Sequence, residues 1–478
     1  MGWMISLIIL LPLLTGGANI LLFKQQSKIG KILMVTSLGA LILINYLMAR
    51  TQIGVELRSI QILGPIRIAF RVDGMSSIFS ILASSLWLMT ALYSFDYMAG
   101  EARERAFNGY FMLVLSPVLG IAYSANLLTL FIFYELLTLT TFPLIIFRGS
   151  DEALSLGNKY LLYSFIGSSL IIAGMSLYFF QTGQLDFLPQ LSFDSDVLVM
   201  SYVFMFIGFG VKTALVPFHS WLPSAMIAPT PVSALLHAVA VVKSGIFSLI
   251  RVTYYLFGYR FLTAHATLQS SLLTLITVSV LVGAFLAYHQ SNLKKRLAYS
   301  TISQLGYILM GIVLSNEYAL TGAILHLINH AIIKISLFFA VGMMYKRAHI
   351  TEFEEVDGLG KKMPLLLGVF TWSTISIMGL PPSNGFVSKW FLAMGIIEQN
   401  RTLFVSVLLI SAFMTAIYLL PVGINAFFKP EKQVIVAEKL SLKVSAILVI
   451  LTIANVYLGL LPNGLIRFIH QQITEKIF

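Results

Sequence analysis

The sequence predicts an all-α polytopic membrane protein with about fourteen transmembrane helices, and three observations carry that reading. Mean hydropathy is +0.88 over the 478 residues. Charged residues make up only 11% of the chain, against about 25% in soluble domains. Apolar stretches of about 20 residues, the length that crosses a hydrocarbon core, recur from one end to the other. No sizeable soluble domain fits between them.

The stretches lie near 3–23, 31–49, 75–97, 108–124, 126–147, 158–180, 198–220, 232–257, 269–289, 297–315, 319–345, 364–390, 402–428 and 444–466. Met1 to Leu22 lacks a basic leader and a small-residue cleavage site, so it reads as a first membrane helix. The 297–315 stretch is the most polar, with Ser300, Thr301, Ser303 and Gln304 in its first half. Between the second and third spans, residues 50–71 alternate weakly around Gly64-Pro65, which suggests a β-hairpin. The 181–197 connection holds Asp186, Asp194 and Asp196 and no base. The 346–363 connection mixes both signs and reads equally as a solvated loop or as a docking surface.

With fourteen spans, one set of alternate connections holds eighteen Lys and Arg and the other, with the termini, nine. The richer set includes Lys294, Lys295 and Arg296, then Lys429, Lys432, Lys439 and Lys443. Basic loops stay cytoplasmic, so both termini are expected outside the cell membrane. The net charge of +11 is thereby assigned to orientation, not to nucleic acid. The absence of cysteine excludes disulfides and thiolate-bound zinc and leaves no usual ligand for an iron–sulfur cluster. No cofactor, no metal site and no catalytic redox centre is expected on this chain.

Against this apolar background the ionisable groups at membrane depth stand out. A charge at the centre of a bilayer helix costs roughly 2.5–3.5 kcal/mol on insertion scales and by default marks an ion path. Glu135 is the one mid-span acid, and Lys212 is its expected partner. The bland alternative is a structural ion pair, which seldom stabilises more than apolar packing would. Lys212 and Lys243 flank a proline-rich interruption at Pro217, Pro223, Pro229 and Pro231. Interrupted helices are tolerated in a bilayer only where protein or water satisfies the freed backbone. His326, His330 and Lys334 follow at i, i+4 and i+8, so they share a helix face. Such a stripe suits a proton relay, because histidine changes charge near neutral pH. A lone histidine there would more simply be a satisfied core group, and a metal site lacks a nearby acid. Lys389 follows a second interruption at Pro381, Pro382 and Gly385. His219, beside Trp221, and His237 are auxiliary candidates that would link Lys212 to the cytoplasm or to Lys243 through water. Together these groups form a lateral row in which charge on one residue biases the next.

Several segments then resemble a known family. They are FYELLTLTTFPLI, VKTALVPFHSWLPSAMIAPTPVSALLHAVAVVKSGIF, LKKRLAYSTISQLGYILMGI, HLINHAIIKISLFF, DGLGKKMP and GLPPSNGFVSK. They are similar to the antiporter-like, proton-conducting subunits of respiratory complex I, Mrp cation/proton antiporters and membrane-bound hydrogenases, over about residues 70–430. The resemblance implies fourteen helices, two inverted five-helix repeats and two discontinuous helices. The implied partition is 1–107 for the first three helices and an outer loop, 108–257 and 258–428 for the repeats, and 429–478 for a last helix. It further implies that Glu135 and Lys212 form the family's glutamate–lysine pair. Lys243 would be the connecting lysine, His330 and Lys334 the central group, and Lys389 the terminal ionisable residue. Lysine at that last position makes the chain similar to the D-type member of Mrp antiporters or the N-type member of complex I. The chain also ends soon after its last span, without a long lateral helix. The implied function is proton translocation, alone or in exchange for sodium, within a multisubunit membrane complex; the alternative is the pumping subunit of a redox-driven complex. Other membrane subunits and the lipid bilayer are the implied partners.

Overall fold

A computed structural model describes residues 2–25, 27–188, 195–431 and 438–478. Asp194 and Lys432 lie outside the described residues. The architecture is a helical bundle with one small hairpin. Helices α1 (Gly2–Leu21) and α2 (Lys28–Thr51) lead into strands β1 (Glu56–Leu63) and β2 (Ile66–Arg71). These pair antiparallel across Gly64-Pro65, as the alternation predicts. There follow α3 (Gly74–Tyr97), α4 (Glu104–Tyr123), α5 (Leu127–Ile145), α6 (Asp151–Thr182), α7 (Asp196–Lys212), α8 (Trp221–Ser224), α9 (Thr230–Ala238) and α10 (Val241–Ile250). After α11 (Arg260–Ala264) come α12 (Ala266–Tyr288), α13 (Leu293–Leu314), α14 (Glu317–Ala348), α15 (Pro364–Met378), α16 (Asn384–Glu398), α17 (Leu403–Phe428) and α18 (Leu442–Leu460).

Polar side chains start these helices where the apolar runs begin. Asp73 accepts from the Ser76 amide at 2.8 Å while the Ser76 hydroxyl faces back, a capping box ahead of α3. Asn126, Ser150 and Asn316 cap α5, α6 and α14 in the same way. Among the described residues, twelve helices are long and apolar enough to cross a membrane. The polar 297–315 stretch is one of them, within Leu293–Leu314, and its serines and Gln304 are buried in the bundle. The apolar windows of the 230–257 stretch and of α14 are fully buried and form the centre. Leu162, Phe180, Leu409 and Phe413 are exposed on perimeter helices, as lipid-facing residues are.

The remaining two predicted spans are the interrupted ones. The 198–220 stretch stops being helical at Lys212 and resumes at Trp221. The 364–390 stretch is not one helix: α15 ends at Met378 and α16 runs on to Glu398. Pro217, Pro381 and Pro382 lie in the non-helical breaks; the Val216–Pro217 and Pro381–Pro382 bonds are cis. Pro223 and Gly385 were expected to break helices and do not. Pro223 sits in the single turn of α8, where no intrahelical donor is lost. Gly385 lies in the first turn of α16, and a Cβ there would strike the Ser376 carbonyl of α15. Its role is close approach of two helices. A third interruption was not foreseen. At Val239–Ala240 the Ala240 amide reaches five residues back to the Leu235 carbonyl, a widened turn with no proline.

The mixed-charge connection after α14 is not a solvated loop. Ile350, Val356, Leu359 and Met363 are buried in it, and Glu352 accepts from Asn292 at 3.0 Å.

Candidate functional site

Glu135 lies in α5 and is only partly buried, at the edge of the bundle. Ser168 of α6 donates to its Oε1 at 2.5 Å. Lys212, the last residue of α7, is wholly buried. It does not form the expected contact pair with Glu135. Its Nζ donates instead to the Tyr134 carbonyl at 2.6 Å and lies 3.4 Å from the centre of the Tyr134 ring. The carboxylate of the next residue acts on it from farther away. The helix that presents Glu135 thus presents a neutral cradle for the ammonium as well: a carbonyl and an aromatic face.

Lys243 sits three residues past the widened turn, fully buried, and its Nζ has no hydrogen-bond partner among the described residues. Ser244 Oγ beside it is also unpartnered. A buried ammonium with no protein acceptor calls for water.

The stripe on α14 is real. His326, His330 and Lys334 are all buried, and the two imidazole rings are 5.9 Å apart. His326 is held at both ends, Nδ1 by Ser388 at 2.8 Å and Nε2 by Gln304 at 3.1 Å. His330 has no partner on either nitrogen among the described residues. Lys243, Lys334, His326 and His237 all lie near enough to act on its charge. Lys334 donates to the Leu297 carbonyl at 2.9 Å and to Ser300 Oγ. Lys389, on α16, closes the row: its Nζ donates to Ile377 O at 2.7 Å and Met378 O at 3.0 Å. Those carbonyls end α15, so the ammonium caps the break and meets the negative end of the helix dipole. His326 is within electrostatic reach of both Lys389 and Lys243.

The geometry therefore joins Lys243, His330, Lys334, His326 and Lys389 into one group, and Glu135 and Lys212 into another. The two lie on neighbouring helices, α7 packing directly on α10. Of the auxiliary histidines, His237 belongs to the larger group. It is buried, unpartnered on both nitrogens among the described residues, stacked on Phe338 at 4.8 Å, and within reach of Lys334 and Lys294. His219 lies in the first break near Tyr299, partly exposed and away from the row.

Two further groups escaped the sequence reading. Lys294 donates to Met226 O at 2.8 Å and Ala228 O at 2.7 Å, holding the backbone of the first break. It lines a cavity of about 480 Å³ with Arg148, Glu152, Lys159 and Tyr299. Its position in a basic triplet made it look like an ordinary loop cation. Arg251 is buried and grips Asp73 with both terminal nitrogens, at 2.5 and 2.9 Å. The signal was available: Arg251 falls inside the predicted 232–257 stretch.

The family model described as "NADH:quinone oxidoreductase/Mrp antiporter, TM" matches residues 124–415. A second, "NADH-Ubiquinone oxidoreductase (complex I), chain 5 N-terminus", matches 61–111. The chain is 33% identical over 375 residues to NADH-quinone oxidoreductase subunit N of Desulforudis audaxviator (strain MP104C), a match that covers 76% of this chain and 73% of that protein. A chain of an archaeal membrane-bound sulfane sulfur reductase superposes with a TM-score of 0.89 at 24% identity, over 98% of this chain and 96% of that one. A chain of the Mrp complex from Dietzia sp. DQ12-45-1b superposes with a TM-score of 0.86 at 20% identity, over the same 98% and 96%.

Proposed function

From the premise that this chain belongs to the NADH:quinone oxidoreductase/Mrp antiporter transmembrane family, we propose that it is the proton-translocating membrane subunit of a multisubunit complex. It moves protons laterally along the buried row, alone or in exchange for sodium. Glu135 and Lys212 form the entry switch: charge on Glu135 holds Lys212 protonated, and losing that charge pushes the proton on. Lys243 passes it to His330, Lys334 and His326, and Lys389 is the terminal group. His237 and His219 serve water-filled approaches. Residues 108–257 and 258–428 are two related halves, each with one proline-marked interruption, and the full count of crossings is fourteen. The chain sits in the cell membrane with both termini outside, a reading supported by the excess of basic residues in alternate loops.

The observation that supports this is a cluster of buried ionisable groups at the centre of the bundle. Lys243, His330 and Lys334 are fully buried in the two central stretches, and His330 and Lys243 have no hydrogen-bond partner among the described residues. A scaffold has no use for unpartnered ionisable groups at its centre, since each is costly unless hydrated. The test uses the whole complex, purified with this chain and reconstituted. Glu135→Ala, Lys212→Ala and Lys389→Ala, made singly, are expected to assemble normally and lose proton movement. Undiminished transport in all three refutes the proposal.

A second reading is supported by the 33% identical relative, whose name is that of an NADH-quinone oxidoreductase subunit. In it the same row serves a complex driven by electron transfer in other subunits. Proton movement that needs an electron donor, with no sodium dependence, selects that reading.

A further inference from the structure

The buried row needs a way out, and the structure offers one on the face that carries the β-hairpin. Lys243 and Arg251 belong to one continuous helical stretch. At 1.5 Å per residue they stand about 12 Å apart along it. Between them, about halfway, is Phe247, stacked on Phe79 of α3 with ring centres 4.7 Å apart. Below that stack is the Arg251 guanidinium, 5.0 Å from the Phe247 ring and 4.6 Å from the Tyr255 ring. It is clamped by Asp73, and the backbone here, Arg251–Phe257, winds in wider π-type turns. Such turns recur at functional sites. Beneath lies a cavity of about 630 Å³, lined by Asp73 and Tyr255 with Glu56, Arg71, Arg260 and Lys476.

The order from the centre outward is then an ammonium and a Ser244 hydroxyl with no hydrogen-bond partner among the described residues, an aromatic stack, an ion pair and a cavity ringed by charged side chains. We propose that the Asp73–Arg251 pair is the outer gate of a side branch that leaves the row at Lys243, and that Asp73 is the last protein stop on that branch. This rests on the translocation reading above. When the pair opens and water enters past Phe247, an N–H bond of the Lys243 ammonium breaks and an O–H bond forms on Asp73 through that water. Asp73 then releases the proton to water in the cavity; no electrons change hands. Arg251 is always charged, and while Asp73 is protonated it is a buried cation without its counter-charge. That state is costly, so the proton moves on and the pair closes again. A purely structural pair would explain the clamp. It does not explain why one member lines a cavity while the other stands about two turns beyond the Lys243 ammonium on the same helical stretch.

The chain has no cysteine, so a single introduced thiol reports one position. In the reconstituted complex carrying Ser244→Cys, a membrane-impermeant maleimide added on the hairpin side is expected to label this chain slowly. Adding Asp73→Asn is expected to raise that rate about tenfold, equivalent to roughly 1.4 kcal/mol of lost closing free energy, and to uncouple transport. Arg251→Lys, which keeps the charge and loses the two-pronged grip, is expected to raise it less. It serves where Asp73→Asn fails to assemble. Unchanged labelling in an assembled Asp73→Asn or Arg251→Lys complex overturns the gate. Undiminished transport in Lys243→Ala refutes the relay itself, so the two failures are separable.

Discussion

Lys212 and Lys389 each end on backbone carbonyls beside a broken helix, yet their company differs. Lys212 sits near an acid, Glu135, that reaches the edge of the bundle. Lys389 heads a group made of bases: Lys243, His326, His330, Lys334 and His237. The Glu135–Lys212 group can hold its charges as an attractive pair. The group of bases cannot. At the 5.9 Å ring separation of His326 and His330, two positive charges repel by about 3 kcal/mol at an effective dielectric constant of about 20. Two protons therefore do not rest side by side there, and each arrival displaces its neighbour. Attraction sets when a proton enters; repulsion sets that it keeps moving.

The largest expected effect comes from removing the residue between the two regimes. Lys243→Ala should lower coupled proton transport about a hundredfold, the low end of what a positioned proton-transfer group contributes, with the complex still assembled. Proton flux in proteoliposomes checks it. Loss of less than about twofold would refute the relay through Lys243, and the contrast between the two groups would lose its junction.

Next in size is the acid. Glu135→Gln keeps the Ser168 hydrogen bond within reach and removes only the charge. It should cut coupled transport about tenfold, or roughly 1.4 kcal/mol, and Glu135→Asp should recover part of it. Because Lys212 leans on the Tyr134 carbonyl and ring, not directly on the carboxylate, assembly should be unaffected. A Glu135→Gln complex that falls apart would show the acid to be structural.

Much of this was legible in the sequence, for a plain reason. In a bilayer an apolar run of about 20 residues is a span, and an ionisable group within it is an exception that needs a cause. Glu135, Lys212, Lys243, Lys334 and Lys389 announced themselves that way, and the i, i+4 spacing put His326 and His330 on one face. What stayed hidden depended on distance in space. Nothing in FYELL says that the ammonium of Lys212 will choose Tyr134 over Glu135. The turn at Val239–Ala240 has no proline or glycine to betray it. Lys294 looks like an ordinary loop cation in its basic triplet, and Arg251, though inside the 232–257 stretch, lies near enough to its end for a long side chain to reach water. Gly385 was read as a breaker when its use is to let α16 approach the Ser376 carbonyl.

A smaller effect should come from the tuning of the stripe. Ser388→Ala removes the contact to His326 Nδ1. One hydrogen bond is worth about 1 kcal/mol net, so transport should fall about fivefold, and its pH profile should shift without loss of assembly. If the profile stays put, His326 is a packing residue and the repulsive group shrinks to Lys243, His330, Lys334 and Lys389.

The smallest expected effect lies outside the membrane segments. Arg67 on β2 donates to Asp186 at 2.9 and 3.3 Å and to Glu56 at 2.8 Å. Hydrogen bonding to Asp186, with the charges of Asp186 and Glu56, raises its pKa above the usual arginine value. Its contribution is thus present below that value and is lost only in strong alkali, so no change follows from arginine titration near neutral pH. All three side chains are partly exposed, and such pairs are worth about 0–1 kcal/mol. The hairpin has other anchors that do not use the guanidinium. Ala69 N donates to Thr129 at 2.9 Å, and Asn126 donates to the Arg67 carbonyl at 2.8 Å. Arg67→Ala should therefore lower thermal stability by less than about 1 kcal/mol, with a difference that fades in high salt, and leave transport unchanged. A loss of transport approaching that of Glu135→Gln would mean that surface charge on the hairpin reaches the buried row. Charge near the row would then matter whether or not it is shielded from solvent, and burial would no longer be what separates the conducting groups from the rest.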